Sequence, residues 1–379
     1  MARTVWRKQQ HPPEPLPQWP QRPPTPGAPE PPPVAQPSVE PGQRIDIAPE
    51  IVEAKQTPTS LPEPHAETQT ETRTDARSII GSARSSNGAT APWLLLPPER
   101  AYRLYVPSHA AHGEPLPLVV MIHGCREAAV DFERGTRMNA IADRERFAVL
   151  YPEQATFANI RRCWNWFEPN TAAGHGECAI ILEMIAEANQ HVELDRARIL
   201  VAGMSSGGAL AGLLAFHHPD VFAAVAVHSG LPPMTPPSAA AAISAMEKGV
   251  RVDTEALADS YWNTHEASPP PLMILHGDAD ETVTEKNATS LLRVWQKIYE
   301  SAPQALPLIR EEREYARSGD TRAYSQIDLQ REGRIVIRSL RVRGLGHAWS
   351  GGDSSLPFND ANGPDASAAI WKFFDRQRR

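Results

Sequence analysis

Ile199-Leu200-Val201-Ala202-Gly203-Met204-Ser205-Ser206-Gly207-Gly208 is the stretch on which the fold turns. Its first four residues are a short apolar run, the signature of a buried strand. Gly203, Ser205 and Gly207 then stand in the spacing G-x-S-x-G, and a helical pattern begins at Ala209. Strand, sharp turn and helix in that order are what a nucleophile elbow requires. The turn holds Ser205 in a strained backbone conformation, and the residues two places away on each side must be small. Gly203 and Gly207 meet that need because they lack a Cβ. The helix that follows aims its free backbone N–H groups at the place where negative charge would develop. Ser206 is not a rival nucleophile, since the glycines frame Ser205 alone. The competing explanation, a chance G-x-S-x-G in a Gly- and Ser-rich loop, is weakened by the flanking strand and helix.

The chain has 379 residues, 41% of them hydrophobic and 22% charged, with a formal net charge of -7. That length suits one large α/β domain with an extra segment, or two small domains. Mild acidity disfavours nucleic acid or an anionic membrane as the main partner. No run approaches the roughly 18 apolar residues of a membrane span. Met1 to Gln10 carries charge with no apolar stretch behind it, so it does not read as a secretory signal. The three cysteines, Cys125, Cys163 and Cys178, match no zinc spacing and form no disulfide scaffold. From the count alone, three buried thiols is the favoured reading, with one bridge plus one free thiol as the alternative. No metal or organic cofactor is called for.

More than half of the 38 prolines precede residue 100. Residues 1–95 therefore read as a Pro-rich tail that cannot bury enough apolar surface to offset its chain entropy. Within it, Pro17-Gln18-Trp19-Pro20 fits a P-x-x-P ligand, although a solvated spacer is the plainer reading, and Arg44 to Ile51 is a candidate local element. Residues 96–379 read as the catalytic domain, with ordered structure from about Ala101. Strands are expected at Tyr102–Val106, Leu118–Ile122, Phe147–Tyr151, Ile199–Ala202, Phe222–His228 and Leu272–Leu275. Helices are expected at Val130–Arg146, Glu177–His191, Ala209–His217, Ala288–Tyr299 and Asp365–Arg378. Two late strands, Ala323–Leu329 and Ile335–Val342, complete the pattern. This alternation predicts a mostly parallel sheet with helices on both faces. Residues 231–271 interrupt it and read as a lid insertion over the site.

A serine hydroxyl needs a base, itself oriented by an acid, and in such sheets the three follow in the order Ser, acid, His. After the strand at Leu272–Leu275 comes His276-Gly277-Asp278-Ala279-Asp280-Glu281, at the sheet edge where open α/β folds bind ligands. Asp280 is the preferred acid and Asp278 the runner-up. After the last strand, Gly344-Leu345-Gly346-His347-Ala348-Trp349 places His347 in a glycine-rich loop as the base. The oxyanion hole needs two donors. The backbone N–H of Ser206 is one, and that of Cys125, in the loop His123-Gly124-Cys125-Arg126, is the other. His123 reads as a structural hydrogen-bonder, and His217, His218 and His228 as core or surface residues. The cluster Cys163-Trp164-Asn165-Trp166-Phe167 reads equally as a ligand wall or a hydrophobic plug.

Several blocks together resemble the polyhydroxybutyrate depolymerase family of esterases, whose relatives include feruloyl and acetylxylan esterases. They are Pro117–Cys125, Gly135–Asn139, Tyr151–Gln154, Cys163–Phe167, Val201–Gly208, His228–Pro232, Gly346–Gly352 and Gly363–Ser367. The resemblance implies an α/β-hydrolase fold that cleaves short-chain hydroxyalkanoate esters with Ser205 as nucleophile, Asp280 as acid and His347 as base. It implies a Cys125–Cys163 bridge, leaving Cys178 single, and places Trp164 and Trp349 along the substrate groove. It also implies an extracellular enzyme; as departures from the family pattern, no secretory signal is read and no separate polymer-binding domain is expected after the catalytic part, which weighs against efficient attack on crystalline polymer. The same motifs would serve a feruloyl or acetylxylan carbohydrate esterase. A reading of another class is an interaction protein that works through the Pro-rich tail.

Overall fold

Short apolar runs alternating with amphipathic segments form a three-layer sandwich in the computed structural model, which describes residues 76–84, 99–108, 114–234, 236, 238–303 and 305–379. The P-x-x-P segment and Arg44–Ile51 lie outside the described residues. In chain order the elements are β1 (Arg77–Arg84), β2 (Glu99–Val106), β3 (Leu116–Ile122), α1 (Ala129–Thr136), α2 (Met138–Glu145), β4 (Ala148–Pro152), α3 (Pro169–Ala172), α4 (Glu177–His191), β5 (Leu194–Met204), α5 (Ser206–His217) and β6 (Ala224–His228). They continue with α6 (Ala239–Lys248), α7 (Thr254–Thr264), β7 (Leu272–Gly277), α8 (Lys286–Glu300), β8 (Ile309–Tyr315), β9 (Tyr324–Arg331), β10 (Arg334–Val342), β11 (Trp349–Ser350), β12 (Asn359–Asp360) and α9 (Ala366–Phe374).

One sheet takes ten of the strands in the order β1-β2-β4-β3-β5-β6-β7-β10-β9-β8. From β4 to β10 every neighbouring pair is parallel, and the flanking pairs at both ends are antiparallel. The central strands are buried on both faces, so they read as continuous apolar runs while their side chains still alternate between two cores. Leu118, Val120 and Ile122 of β3 pack into the core shared with α4 to α8. Val119 and Met121 point into the one shared with α1, α2 and α9. Each such side chain contributes about 1.5–3 kcal/mol by leaving water.

Three local features depart from the pattern read in the sequence. Val130–Arg146 is two helices rather than one, because Arg137 turns into the left-handed region at φ 54°. There Arg137 Nη2 donates to the carbonyls of Gly351 and Gly352 at 2.5 and 2.9 Å, so the break carries a long-range contact to the loop after β10. The Pro-rich stretch expected to be all tail contains β1, an edge strand reading Arg-Ser-Ile-Ile-Gly-Ser-Ala-Arg that pairs with β2. Its Gly81 lies beneath the Tyr102 ring, where an added Cβ would sit 2.3 Å from Cζ. Burial alternates along β1, with Ile79, Gly81 and Ala83 turned inward and Ser78, Ile80 and Ser82 exposed, but only Ala83 is fully buried. At the opposite edge, β8 reads Ile-Arg-Glu-Glu-Arg-Glu-Tyr; its charges hide it from a hydrophobic search and protect an exposed edge from pairing with other chains.

The segment 231–271 contains α6 and α7. Trp262 Nε1 donates to the Ile298 carbonyl, and Asn287 Nδ2 donates to the Ala245 and Met246 carbonyls. Those bonds seat the insertion along α8. Among the described residues no helix is long and apolar enough to cross a membrane.

Candidate active site

β5 ends at Met204 and α5 begins at Ser206, leaving Ser205 as the single residue of a sharp turn at φ 56°, ψ -121°. That conformation costs a non-glycine residue on the order of 1–3 kcal/mol and persists only where its surroundings enforce it. They do so by close approach. A Cβ on Gly203 would lie 2.3 Å from the Gly207 carbonyl oxygen, and one on Gly207 would lie 2.2 Å from that of Ile122. The Ser205 N–H is held by the His228 carbonyl at 2.9 Å.

Asp280 and His347 approach each other because β10 lies beside β7 in parallel register, which brings the two strand ends together. Asp278 N–H donates to Val342 O and Ala279 N–H to Leu345 O, both at 3.1 Å. His347 Nδ1 stands 2.8 Å from Asp280 Oδ2, and Asp280 Oδ1 accepts from the N–H groups of Thr282 and Val283. Burial pushes the Asp280 carboxyl up. The His347 hydrogen bond and charge, the Val283 N–H and nearby His276 outweigh it, so the group lies below its ordinary value. Asp278 instead shapes the turn, its carboxylate accepting the Gly344 N–H at 2.6 Å. Among the described residues no hydrogen bond closes between Ser205 Oγ and His347 Nε2. Catalytic hydrogen bonds of this kind are often long in the free enzyme and tighten once substrate binds.

Two backbone donors flank Ser205. The N–H of Ser206 opens α5, where no intrahelical acceptor exists. The N–H of Cys125 has no acceptor among the described residues, although its loop is heavily restrained. His123 Nδ1 donates to Gly124 O at 2.7 Å, while its Nε2 accepts the Gln154 N–H at 3.1 Å. This fixes a neutral tautomer, and burial lowers the ring's pKa to about 4. Gly124 C=O and Cys125 N–H belong to one planar peptide unit, so gripping the carbonyl aims the N–H the opposite way. The Arg126 N–H donates to Arg161 O, and a disulfide joins Cys125 to Cys163. Cys178 is free and buried, and burial raises its thiol pKa.

The two tryptophans expected along the groove are a correction. Trp164 is 0% and Trp349 1% exposed, and they sit in opposite cores. Trp164 packs near the His123 ring and, with Trp166, plugs the space beneath the disulfide loop. Trp349 stacks on His228 at 5.0 Å, meets Phe132 edge-on, and donates from Nε1 to Ser367 Oγ. Large apolar rings next to a glycine-rich loop gain more by closing over the core than by facing water.

His228 has no distinctive setting in the sequence, yet it joins the two halves of the site. Its carbonyl holds the Ser205 N–H, and its Nε2 accepts the Ser350 N–H at 3.2 Å, three residues past His347. Its Nδ1 faces Ser229 Oγ at 3.2 Å, and burial with His276 and His347 nearby lowers its pKa to about 3. No sequence spacing signals this role, which depends on β6 lying between β5 and β7. Among the described residues no cluster of three or more His, Cys, Asp or Glu side chains is arranged to hold a metal ion.

Strand order, the strained serine turn and the paired Asp280 and His347 loops on neighbouring strand ends place the chain among the α/β-hydrolases. The solved acetyl xylan esterase from Aspergillus awamori shares the fold, with a TM-score of 0.58 at 18% identity over 78% of this chain and 99% of that one. Residues 100–302 match the family model described as esterase PHB depolymerase, and the chain belongs to that family. Ser205 and Asp280 lie inside the matched region, and His347 lies beyond it. Poly(3-hydroxyalkanoate) depolymerase C of Paucimonas lemoignei is 33% identical over 185 residues, 47% of this chain and 44% of the relative. Feruloyl esterase B of Neurospora crassa is 28% identical over 205 residues, 51% of this chain and 68% of the relative. The match thus spans less than half the length of the depolymerase.

Proposed function

We propose that this chain is a serine esterase that hydrolyses poly(3-hydroxybutyrate), or its short-chain hydroxyalkanoate oligomers, through an acyl-enzyme. The observation that carries the proposal is the 2.8 Å His347–Asp280 pair, taken together with a serine held at φ 56° in the turn between β5 and α5. Ser205 Oγ attacks the ester carbonyl carbon as His347 Nε2 takes its proton. Asp280 holds the opposite ring nitrogen and stabilises the imidazolium. The Ser206 and Cys125 N–H groups receive the oxyanion, which is where such sites gain most of their rate. His347 then gives its proton to the departing alkoxide, and a water molecule activated by the same ring releases the acid and restores Ser205.

The similarity to a poly(3-hydroxyalkanoate) depolymerase favours the polyester. The similarity to a feruloyl esterase favours a second reading, a carbohydrate esterase working by the same chemistry. The disulfide fits an oxidising compartment, consistent with an enzyme acting outside the cell. Hydroxybutyrate oligomers, methyl ferulate and acetylated xylan assayed in parallel, with Ser205→Ala as control, decide between the two readings. Fastest turnover on the oligomers, abolished in Ser205→Ala, is expected. Ser205→Ala turnover equal to the wild type would remove the mechanism, and a preference for ferulate or acetylxylan would replace the substrate.

A further inference from the structure

Glu127 follows the oxyanion loop by two residues and has no part in the steps above. It is 4% exposed, and its Oε2 accepts the Gly124 N–H at 2.8 Å. A Cβ built on Gly124 would lie 2.9 Å from that oxygen and 3.4 Å from Ser205 Cβ, so the carboxyl and the nucleophile flank the same glycine. Among the described residues Glu127 has no cationic partner. The charges around it do not help: Asp131 on α1 adds repulsion, Arg162 is paired with Glu153 at 3.1 Å, and His123 is held neutral.

We propose that Glu127 is a positioning residue of the oxyanion loop that serves only as the neutral acid, holding the Gly124 amide in place without setting a negative charge beside the forming oxyanion. This rests on the esterase reading. The His123–Gly124 peptide unit is fixed by Glu127 through the Gly124 N–H. The next unit is fixed by His123 through the Gly124 carbonyl. Together the two grips set the direction of the Cys125 N–H. Ionising Glu127 would leave that geometry intact and reverse the electrostatics, because a buried anion opposes the charge that the hole is built to receive. Burial, the largest influence, raises this carboxyl to about 8 against the pull of the Gly124 hydrogen bond.

The test is the pH profile of kcat/KM on a neutral soluble substrate, ethyl 3-hydroxybutyrate, followed by product chromatography from pH 5 to 10. The wild type is expected to lose about tenfold per pH unit above a midpoint near 8, as a single inactivating ionisation does. Glu127→Gln, which keeps the acceptor and cannot ionise, is expected to lack the alkaline fall, its kcat/KM at pH 9.5 staying within about threefold of its own value at pH 6.5. A wild-type profile that stays level to pH 9.5, or a Glu127→Gln profile with the same fall, overturns the proposal. The wild-type arm alone decides the matter if Glu127→Gln does not fold.

Melting gives a readout independent of turnover. A carboxyl raised from 4.5 to about 8 in the folded state lowers stability progressively between those two values and no further above them. The Tm of Glu127→Gln minus that of the wild type is therefore expected to grow from pH 5 to 8 and then level off. No growth over that window overturns the buried-acid assignment. Failure of the esterase reading would show differently, as no Ser205-dependent turnover at any pH.

Discussion

Replacing Asp280 by Asn tests the proton path while preserving most of the packing. In the wild type one carboxylate oxygen faces His347 Nδ1 at 2.8 Å, and the other accepts two backbone N–H groups. The amide oxygen of Asn takes over the backbone bonds, which leaves its NH2 against Nδ1. That contact is favourable only if Nδ1 is an acceptor, which puts the ring proton on Nε2, the nitrogen that must receive the proton of Ser205. The wrong tautomer costs about 10⁴ in kcat in serine proteases, and the same logic sets the expectation here. At 1.36 kcal/mol per decade this is about 5 kcal/mol of lost transition-state stabilisation. The stability cost is smaller, about 1–3 kcal/mol for one charge-assisted hydrogen bond. Asp280 is depressed from 3.8, so its contribution to stability is present above that value and lost as pH falls through the folded pKa. Asp280→Asn should therefore melt closer to the wild type at pH 3 than at pH 7. The assay is kcat on a short p-nitrophenyl ester at pH 7, alongside melting curves at both pH values. A kcat within tenfold of the wild type in a folded protein would refute the assignment of Asp280.

Opening the Cys125–Cys163 bridge, by Cys163→Ala or by reductant, frees a segment with a sequence separation of 38. Chain entropy puts the loss at about 4 kcal/mol, which melting should register as a fall of roughly 5–10 °C, and kcat should drop because the oxyanion loop is less constrained. An unchanged Tm would show that the hydrogen bonds of the loop suffice without the bridge. His228→Leu removes the acceptor of the Ser350 N–H and should cost about 1–3 kcal/mol of stability. Its kcat is expected to fall more than KM rises; equal kcat would show that the loop of His347 is held in place without this bond. Gly207→Ala drives a methyl against backbone at 2.2 Å, which no rotamer change relieves. It should destabilise the chain by more than about 3 kcal/mol, so recovery of soluble protein with wild-type melting would contradict the elbow geometry.

The sheet was legible because its central strands are local apolar runs with helical segments between them, and period and polarity are properties of neighbouring residues. The elbow was legible for a similar reason, since two glycines and a serine within five residues fix its shape. β1 and β8 escaped because edge strands bury little: the two isoleucines of β1 are adjacent, one inward and one exposed, so they give no alternating pattern, and β8 is charged on both faces. The split at Arg137 escaped because what holds Arg137 there is a pair of carbonyls more than two hundred residues away.

Reading along the chain was enough to nominate Ser205, Asp280 and His347, because each belongs to a short pattern at a strand end. What lies behind them was settled by folding. β6 sets His228 between Ser205 and the loop of His347, the loop after β7 presents Asp280 rather than Asp278 to that ring, and both tryptophans turn inward. The buried carboxyl of Glu127 against the Gly124 amide joins them, since its lack of a cationic partner among the described residues follows from packing and not from its neighbours in sequence. The physical reason is one of range. Strand, helix and turn preferences act over a few residues, whereas burial, tautomer and ionisation are set by whatever the completed fold places against a group.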